Sequence, residues 1–342
     1  MTILKTDRQT DRQDIASVDI VKFFLAICIV FIHGNGLTFL PDFWNYFVEK
    51  FVLRVAVPFF FVSSGYFLRI TLDKGKSIKS YCLRLLKPLI VFELLNTLLQ
   101  EAINLKNGTG LVEVIYDAIK HILFYPYGAM WFLQACIVGA LLLYIFYKRE
   151  KLRWGFAVGL ALYCFALLCN NYYFLVQGNG ILETAVKGYM QIFLSARNGL
   201  FVGLLFLSMG FLIHDWKLAS KKNILVIMGC LLAIYAFEIL LIYDKNTLDD
   251  GALFVTHILL IPCIFCCVLN IHVNMASSVS VLLRNLSTGI YMLHRLLLTI
   301  LGYLLASFVM NWLKCLLVIL IAIAICLIVY KKKREPFYSL LK

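Results

Sequence analysis

The sequence predicts an all-α integral membrane protein of about ten transmembrane helices with both termini cytoplasmic, and three observations lead there. Of its 342 residues 62% are hydrophobic and only 15% are charged, whereas soluble domains carry about 25% charged residues. Stretches free of Asp, Glu, Lys and Arg cover 121–147, 154–182 and 251–283, each longer than the ~20 residues a helix needs to cross a bilayer. Basic residues, finally, collect in alternate loops. A soluble enzyme is excluded on these grounds. The formal charge of +13 is read as Lys and Arg held on the cytoplasmic side and not as a nucleic-acid footprint.

Windows of about 19 residues place helices at roughly 18–38, 49–68, 86–105, 127–147, 154–174, 196–213, 223–243, 252–271, 288–307 and 312–330. The first follows a polar tail, residues 1–17, with no signal-peptide pattern. The second is apolar beyond Lys50 and Arg54, and the third is the most polar, with Glu93, Asn96, Gln100 and Glu101. Segment 111–124 alternates charged and apolar residues at helical spacing and suits an interfacial helix better than an eleventh span. The fourth and fifth are uncharged; the sixth opens at Arg197, the seventh carries Glu238, the eighth His257 and the ninth His294-Arg295. The tenth runs into a basic tail, 331–342. With the N-terminus inside, the inner segments hold 22 Lys and Arg and the outer loops only four, Lys106, Lys120, Lys187 and Lys245, as the positive-inside rule requires. No repeat or linker divides the chain, so 18–330 is read as one membrane domain.

An ionisable group within the bilayer is costly unless it faces protein or water, which makes each one a functional candidate. Asp19, Lys22 and His33 are the best set. The eleven residues from Lys22 to His33 return a helix to within ~20° of the same direction after a rise of about 16 Å. A basic mouth thus leads to a buried imidazole, the side chain suited to proton transfer near neutral pH. The plainer alternative is that Lys22 snorkels beside Asp19 and His33 bonds a neighbouring helix. Arg54, Arg197 and Glu238 are further candidates, with interfacial anchoring as their alternative, and His294-Arg295 lies about two turns inside its span. The cluster Cys263, Cys266 and Cys267 sits in an apolar run and reads as packing, so no metal is expected. Nucleotide-binding, zinc-protease and serine-hydrolase motifs are missing.

The line D-I-V-K-F-F-L-A-I-C-I-V-F-I-H, Asp19 to His33, resembles the first-helix signature of the acyltransferase 3 family of integral membrane acyltransferases. In that family an Arg or Lys precedes a histidine by eleven positions. Val57 to Leu68 (V-P-F-F-F-V-S-S-G-Y-F-L) is similar to its second-helix line, and R-L-L-K-P, Arg84 to Pro88, to its basic loop. Ala129 to Leu133 (A-M-W-F-L), Arg197 to Phe201 (R-N-G-L-F) and Ser287 to His294 (S-T-G-I-Y-M-L-H) continue the match in the family's order. Lys22 stands where many members have Arg, which removes a bidentate phosphate fork. No appended extracytoplasmic hydrolase-like domain is read, so acyl hand-over is expected within the membrane part.

The resemblance implies transfer of an acyl group, usually acetyl, from cytoplasmic acyl-coenzyme A to a hydroxyl of a cell-envelope glycan or lipid-linked sugar, in the bacterial cytoplasmic membrane. On that reading Lys22, Arg69, Arg84 and Lys87 hold the coenzyme phosphates. His33, with Lys22 and Asp19 on its helix face, is the general base. Arg54, Arg197, Asn198, Glu238 and His294 lie on the acceptor side. Ser63, Ser64 or the Gly65 N–H are candidates for oxyanion stabilisation, with helix packing the stronger explanation of S-S-G. Acetyl-coenzyme A is thus the expected co-substrate, membrane lipid and the acceptor are the expected partners, and an oligomer is compatible. The competing reading is a transporter of a small amino acid or glycan precursor, since R-N-G-L-F is also similar to a stretch in the membrane half of vancomycin-resistance serine racemases.

Overall fold

A computed structural model describes residues 15–216, 221–305 and 309–332. The predicted tails up to residue 14 and from residue 333 lie outside the described residues. Among those described the chain is all-α, with twelve helices and no strand. They are α1 (Ala16–His33), α2 (Asp42–Asp73), α3 (Ile78–Lys106), α4 (Leu111–Leu123), α5 (Trp131–Lys148), α6 (Leu152–Leu168), α7 (Gly180–Phe193), α8 (Gly199–Ile213), α9 (Lys221–Ile242), α10 (His257–Leu269), α11 (Ser277–Leu305) and α12 (Asn311–Lys332). Helices α1, α2, α5, α9, α11 and α12 are long and apolar enough to cross a membrane, while α6, α8 and α10 are apolar but shorter. Every predicted span falls on one of these nine or on α3.

Side-chain exposure follows the solvent that such a bundle meets. Leu225, Val226, Phe237 and Leu241 of α9 are exposed, a stripe that would associate in water but matches hydrocarbon. Helix α4 buries only Val114 and exposes Val112, Ile115, Tyr116 and Ile119, as an interfacial helix does. Helix α3 does the reverse with its polar face, where Glu93, Asn96, Thr97 and Glu101 are buried. Glu93 accepts from the Tyr127 N–H at 2.9 Å and Glu101 from the Tyr127 hydroxyl at 2.9 Å, so polarity that lowers the hydropathy of this segment is spent inside the bundle.

Two boundaries differ from expectation. The loop expected over 175–195 contains α7, whose N-terminus is capped by Asn179, its Oδ1 accepting from the Leu182 N–H at 3.2 Å. Helix α11 starts at Ser277 and not near 288. Its first turns carry Ser280, Arg284, Asn285 and Ser287, which depress a hydropathy window, yet Ser280, Asn285 and Ser287 are buried. Small residues set the closest crossing: a Cβ on Gly65 would collide with the Leu207 carbonyl, and one on Gly210 with the Val62 carbonyl. The glycine of S-S-G therefore serves the contact between α2 and α8.

Candidate active site

Helices α1 and α11 lie side by side and run parallel, because their contacts climb in step. Asp19 accepts from Ser280 Oγ at 2.5 Å and from Arg284 at 3.1 and 2.8 Å. Higher up, the Lys22 carbonyl accepts from Ser287 Oγ at 3.0 Å, and higher still the His33 and His294 rings meet at 5.2 Å between centroids. Each helix thus carries a cation near one end and a histidine about 15 Å further on: Lys22 and His33 on α1, Arg284 and His294 on α11.

Lys22 and His33 open into different cavities. The first is lined by Lys22, Arg84 and Arg284 together with the rings of Phe60, Phe67 and Tyr81. The Lys22 ammonium lies 5.8 Å from the Phe60 centroid and 5.6 Å from that of Phe67, and the Arg84 guanidinium 5.6 Å from that of Tyr81. Cations resting on ring faces keep their charge while excluding water. Ser64 lines this cavity; Ser63 is fully buried without a hydrogen-bond partner among the described residues. The second cavity is lined by His33, Arg54, Arg197 and Trp131 and by apolar Val57 and Pro58. Phe132 and Tyr291 belong to both linings.

His294 is fully buried, and its Nδ1 lies 2.6 Å from the Tyr291 carbonyl oxygen. A carbonyl only accepts, so Nδ1 carries the proton and Nε2 keeps its lone pair. That Nε2 has no partner among the described residues. His33, half-buried, shares this space and also faces the second cavity.

A charged collar closes the far side of the His33 cavity. Arg54 donates to Glu49 at 2.9 and 2.6 Å and to Asp250 at 2.5 Å. Arg197 donates to Asp250 at 2.7 Å and to Asp249 at 3.0 and 2.8 Å, and its guanidinium stands 5.3 Å from the Trp131 centroid. Lys50 completes the ring with 3.3 Å to Glu49 and 2.8 Å to the Asp250 carbonyl. Burial alone would raise the Asp250 carboxyl, but Arg197 and Arg54 outweigh it and hold it well below the usual carboxylate range. Both arginines stand beside π-helical turns, Glu49–Leu53 before Arg54 and Gly199–Gly203 after Arg197, and such bulges re-aim side chains.

The predicted set is therefore divided. Lys22, Arg84, His33, Arg54, Arg197 and His294 gather along one line through the bundle. Arg69 does not join them: it pairs with Asp73 at 3.0 Å and Asp215 at 3.6 Å under Tyr147 and Phe211. Lys87 is exposed and outside the cavity lining, one residue before buried Pro88. Asp19 anchors Arg284 and touches neither cavity. Asn198 caps the turn after it, accepting from Leu200 and Phe201 N–H groups at 3.0 and 3.1 Å. Glu238 takes the Val255 and Thr256 N–H groups at 2.6 and 3.0 Å and so caps α10. His257 is sealed between Tyr235 and Phe254. Among the described residues no three His, Cys, Asp or Glu converge as metal ligands would.

Arg284, Phe132, Tyr291 and the Asp249-Asp250 pair were not singled out by sequence reasoning. Phe132 and Tyr291 lie within the A-M-W-F-L and S-T-G-I-Y-M-L-H stretches, and the others also left a signal. Arg284 precedes His294 by ten positions, nearly repeating the Lys22 to His33 step, and two buried arginines demand carboxylates, for which adjacent Asp249 and Asp250 were at hand.

A family model described as an acyltransferase domain matches residues 15–331. The chain belongs to the acyltransferase 3 family. With its long apolar helices, this makes it a multi-pass membrane protein. Among curated relatives, an amino-acid racemase of Enterococcus faecalis is 28% identical over 265 residues, 75% of this chain and 36% of the racemase. A serine/alanine racemase of Enterococcus gallinarum is 27% identical over 217 residues, 60% and 30% of the two chains. The chain spans about a third of the length of these relatives. No solved structure matches it.

Proposed function

We propose that this acyltransferase 3 family member moves an acyl group, acetyl in the first instance, from cytoplasmic acyl-coenzyme A to a hydroxyl of a cell-envelope glycan or lipid-linked sugar. The observation that carries the reading is a pair of cavities sharing Phe132 and Tyr291, one lined by Lys22, Arg84 and Arg284 and the other by His33. On this reading the Lys22 cavity faces the cytoplasm, which the bias of basic residues toward alternate loops supports. Lys22, Arg84 and Arg284 there offer charge-assisted hydrogen bonds to phosphates, and Asp19 holds Arg284 in place. The ~16 Å rise from Lys22 to His33 matches the reach of an extended pantetheine arm.

With the thioester carbonyl beside His33, the imidazole takes the proton of the acceptor hydroxyl as its oxygen attacks the carbonyl carbon. The C–S bond then breaks, the C–O ester bond remains, and the proton passes to the departing coenzyme A thiolate. His294, with its tautomer set by the Tyr291 carbonyl, packs its ring beside that of His33. General-base catalysis of this kind is worth about 10²–10⁴-fold. Purified protein in liposomes with radiolabelled acetyl-coenzyme A and envelope glycans should transfer label, and His33→Ala should lose it while still inserting and purifying as a monodisperse species. Unimpaired transfer by that variant would remove the mechanism.

A second reading, carriage of a small amino acid, draws on the collar, where guanidinium and carboxylate stand side by side as a zwitterion would require, and on the named racemase relatives. Uptake of labelled L-serine by the same liposomes without acyl-coenzyme A would select it.

A further inference from the structure

The two cavities meet at a pair of rings. Phe132 and Tyr291 line both, and they stand edge to face, centroids 5.7 Å apart at 73°, a favourable packing geometry for two rings. The two rings are held differently. The Tyr291 ring is tied at its tip, its hydroxyl donating to the Ala129 carbonyl, while its backbone carbonyl accepts from His294 at 2.6 Å. Phe132 has no polar tether and is half-buried. It rests on Phe61 at 4.6 Å and on Phe60 at 6.1 Å, and Phe60 faces the Lys22 cavity.

The geometry points to Phe132, closing against Tyr291, as the residue that sets which acyl chains reach His33. This rests on the acyltransferase reading and deepens it: the preferred donors are short thioesters, acetyl and propionyl. An acyl group travels through the rings with its hydrocarbon end leading and the sulfur behind. Once the thioester carbonyl is beside His33, every further methylene must fit beyond it. The space there is walled by Ile29, Val57 and Pro58 and shared with the acceptor. Withdrawing the Tyr291 ring would break its hydroxyl's bond to the Ala129 carbonyl, a cost Phe132 does not carry, so room for a longer chain has to come from Phe132. Cores resist such additions because extra methylenes force neighbouring side chains off their rotamers. Replacing Phe132 by Ala removes a six-carbon ring at the junction and lets a longer tail fold back toward the Lys22 side.

The test compares acetyl-, propionyl-, butyryl- and hexanoyl-coenzyme A as labelled donors for protein in liposomes, with an envelope fraction of the native cell as acceptor. The quantity read is the ratio of kcat/KM for each donor to that for acetyl. A methylene in a shaped apolar site is worth about 10–200-fold in discrimination. The butyryl-to-acetyl ratio should therefore rise at least about tenfold in Phe132→Ala and by a smaller factor in Phe132→Leu. In Phe132→Trp the propionyl-to-acetyl ratio should fall. Tyr291→Phe, which keeps the ring and loses the hydroxyl, should move the ratios less than Phe132→Ala. A selectivity that is merely structural in origin would not follow ring size in both directions. Label transfer with ratios unchanged across Ala, Leu and Trp would overturn the filter while leaving the acyltransferase reading standing. No transfer from any donor by the unaltered protein would overturn both. Should Phe132→Ala fail to fold, Leu and Trp still decide the matter.

Discussion

The two ends of the His33 line treat positive charge in opposite ways. At the collar, Lys50, Arg54 and Arg197 meet Glu49, Asp249 and Asp250, and the charges cancel within hydrogen-bond distance. Around the Lys22 cavity three cations share a lining in which no described residue is a carboxylate, and two of them, Lys22 and Arg84, rest on aromatic rings. Asp19 lies behind the lining and holds Arg284. Cations matched one for one by carboxylates already have their counter-charge and chiefly hold loop 244–251 onto the bundle. Cations set on ring faces around empty space are prepared for an anion brought from outside. The contrast teaches that the number of buried charges says less about ligand binding than where their counter-charges lie.

The contrast is broken most forcefully at Asp250. Asp250→Ala leaves Arg54 and Arg197 with their shared carboxylate gone. Because the Asp250 side chain is 31% exposed, the loss of stability should fall near the lower end of the ~3–5 kcal/mol typical of a broken buried pair, read as a lower melting temperature in detergent. The pH dependence has a definite sign. Asp250 is held below its unfolded range, so its contribution is complete above the ordinary carboxylate pKa of about 3.9 and is lost as pH falls through the lower folded value. The gap in melting temperature between the native chain and Asp250→Asn should stay constant from about pH 8 to 5 and narrow below about pH 4. A gap that narrowed near pH 6 would mean the collar is held by some other group.

At the other end, Arg84→Ala should weaken acyl-coenzyme A binding about tenfold, the value of one hydrogen bond to a charged group, and the loss should shrink as salt rises. Lys87→Ala should change affinity by less than about twofold, since Lys87 is exposed and outside the cavity. Equal effects of the two, by equilibrium binding across ionic strength, would erase the distinction between a lined cavity and a merely basic surface. The smallest effect belongs to Asn198. Loss of its cap in Asn198→Ala should cost about 1 kcal/mol of stability without altering KM for the acceptor. A raised KM with unchanged stability would return Asn198 to the substrate.

Much of this was legible in the chain because the relevant physics is local. Spans, the amphipathic 111–124 segment and the shared face of Lys22 and His33 follow from helical period and from the cost of placing charge in hydrocarbon. Arg69 and Lys87 show where such reading stops. Both are basic and both lie in inner segments by count, yet one turns to Asp73 and Asp215 and the other stays exposed. Asn198 and Glu238 looked equally suited to substrate, and their carbonyl and carboxylate oxygens are taken by backbone N–H groups at helix starts.

By itself, then, the sequence determined an all-α membrane chain, its family motifs and an imidazole eleven residues above a lysine on one helix. Only the tertiary structure decided that Arg284 shares a cavity lining with Lys22, that His294 stands beside His33, and that Phe132 and Tyr291 line both cavities. Periodicity assigns a residue to a face of its own helix, whereas which faces meet depends on packing between α1 and α11, some 265 positions apart in the chain, and no spacing within either segment encodes that pairing.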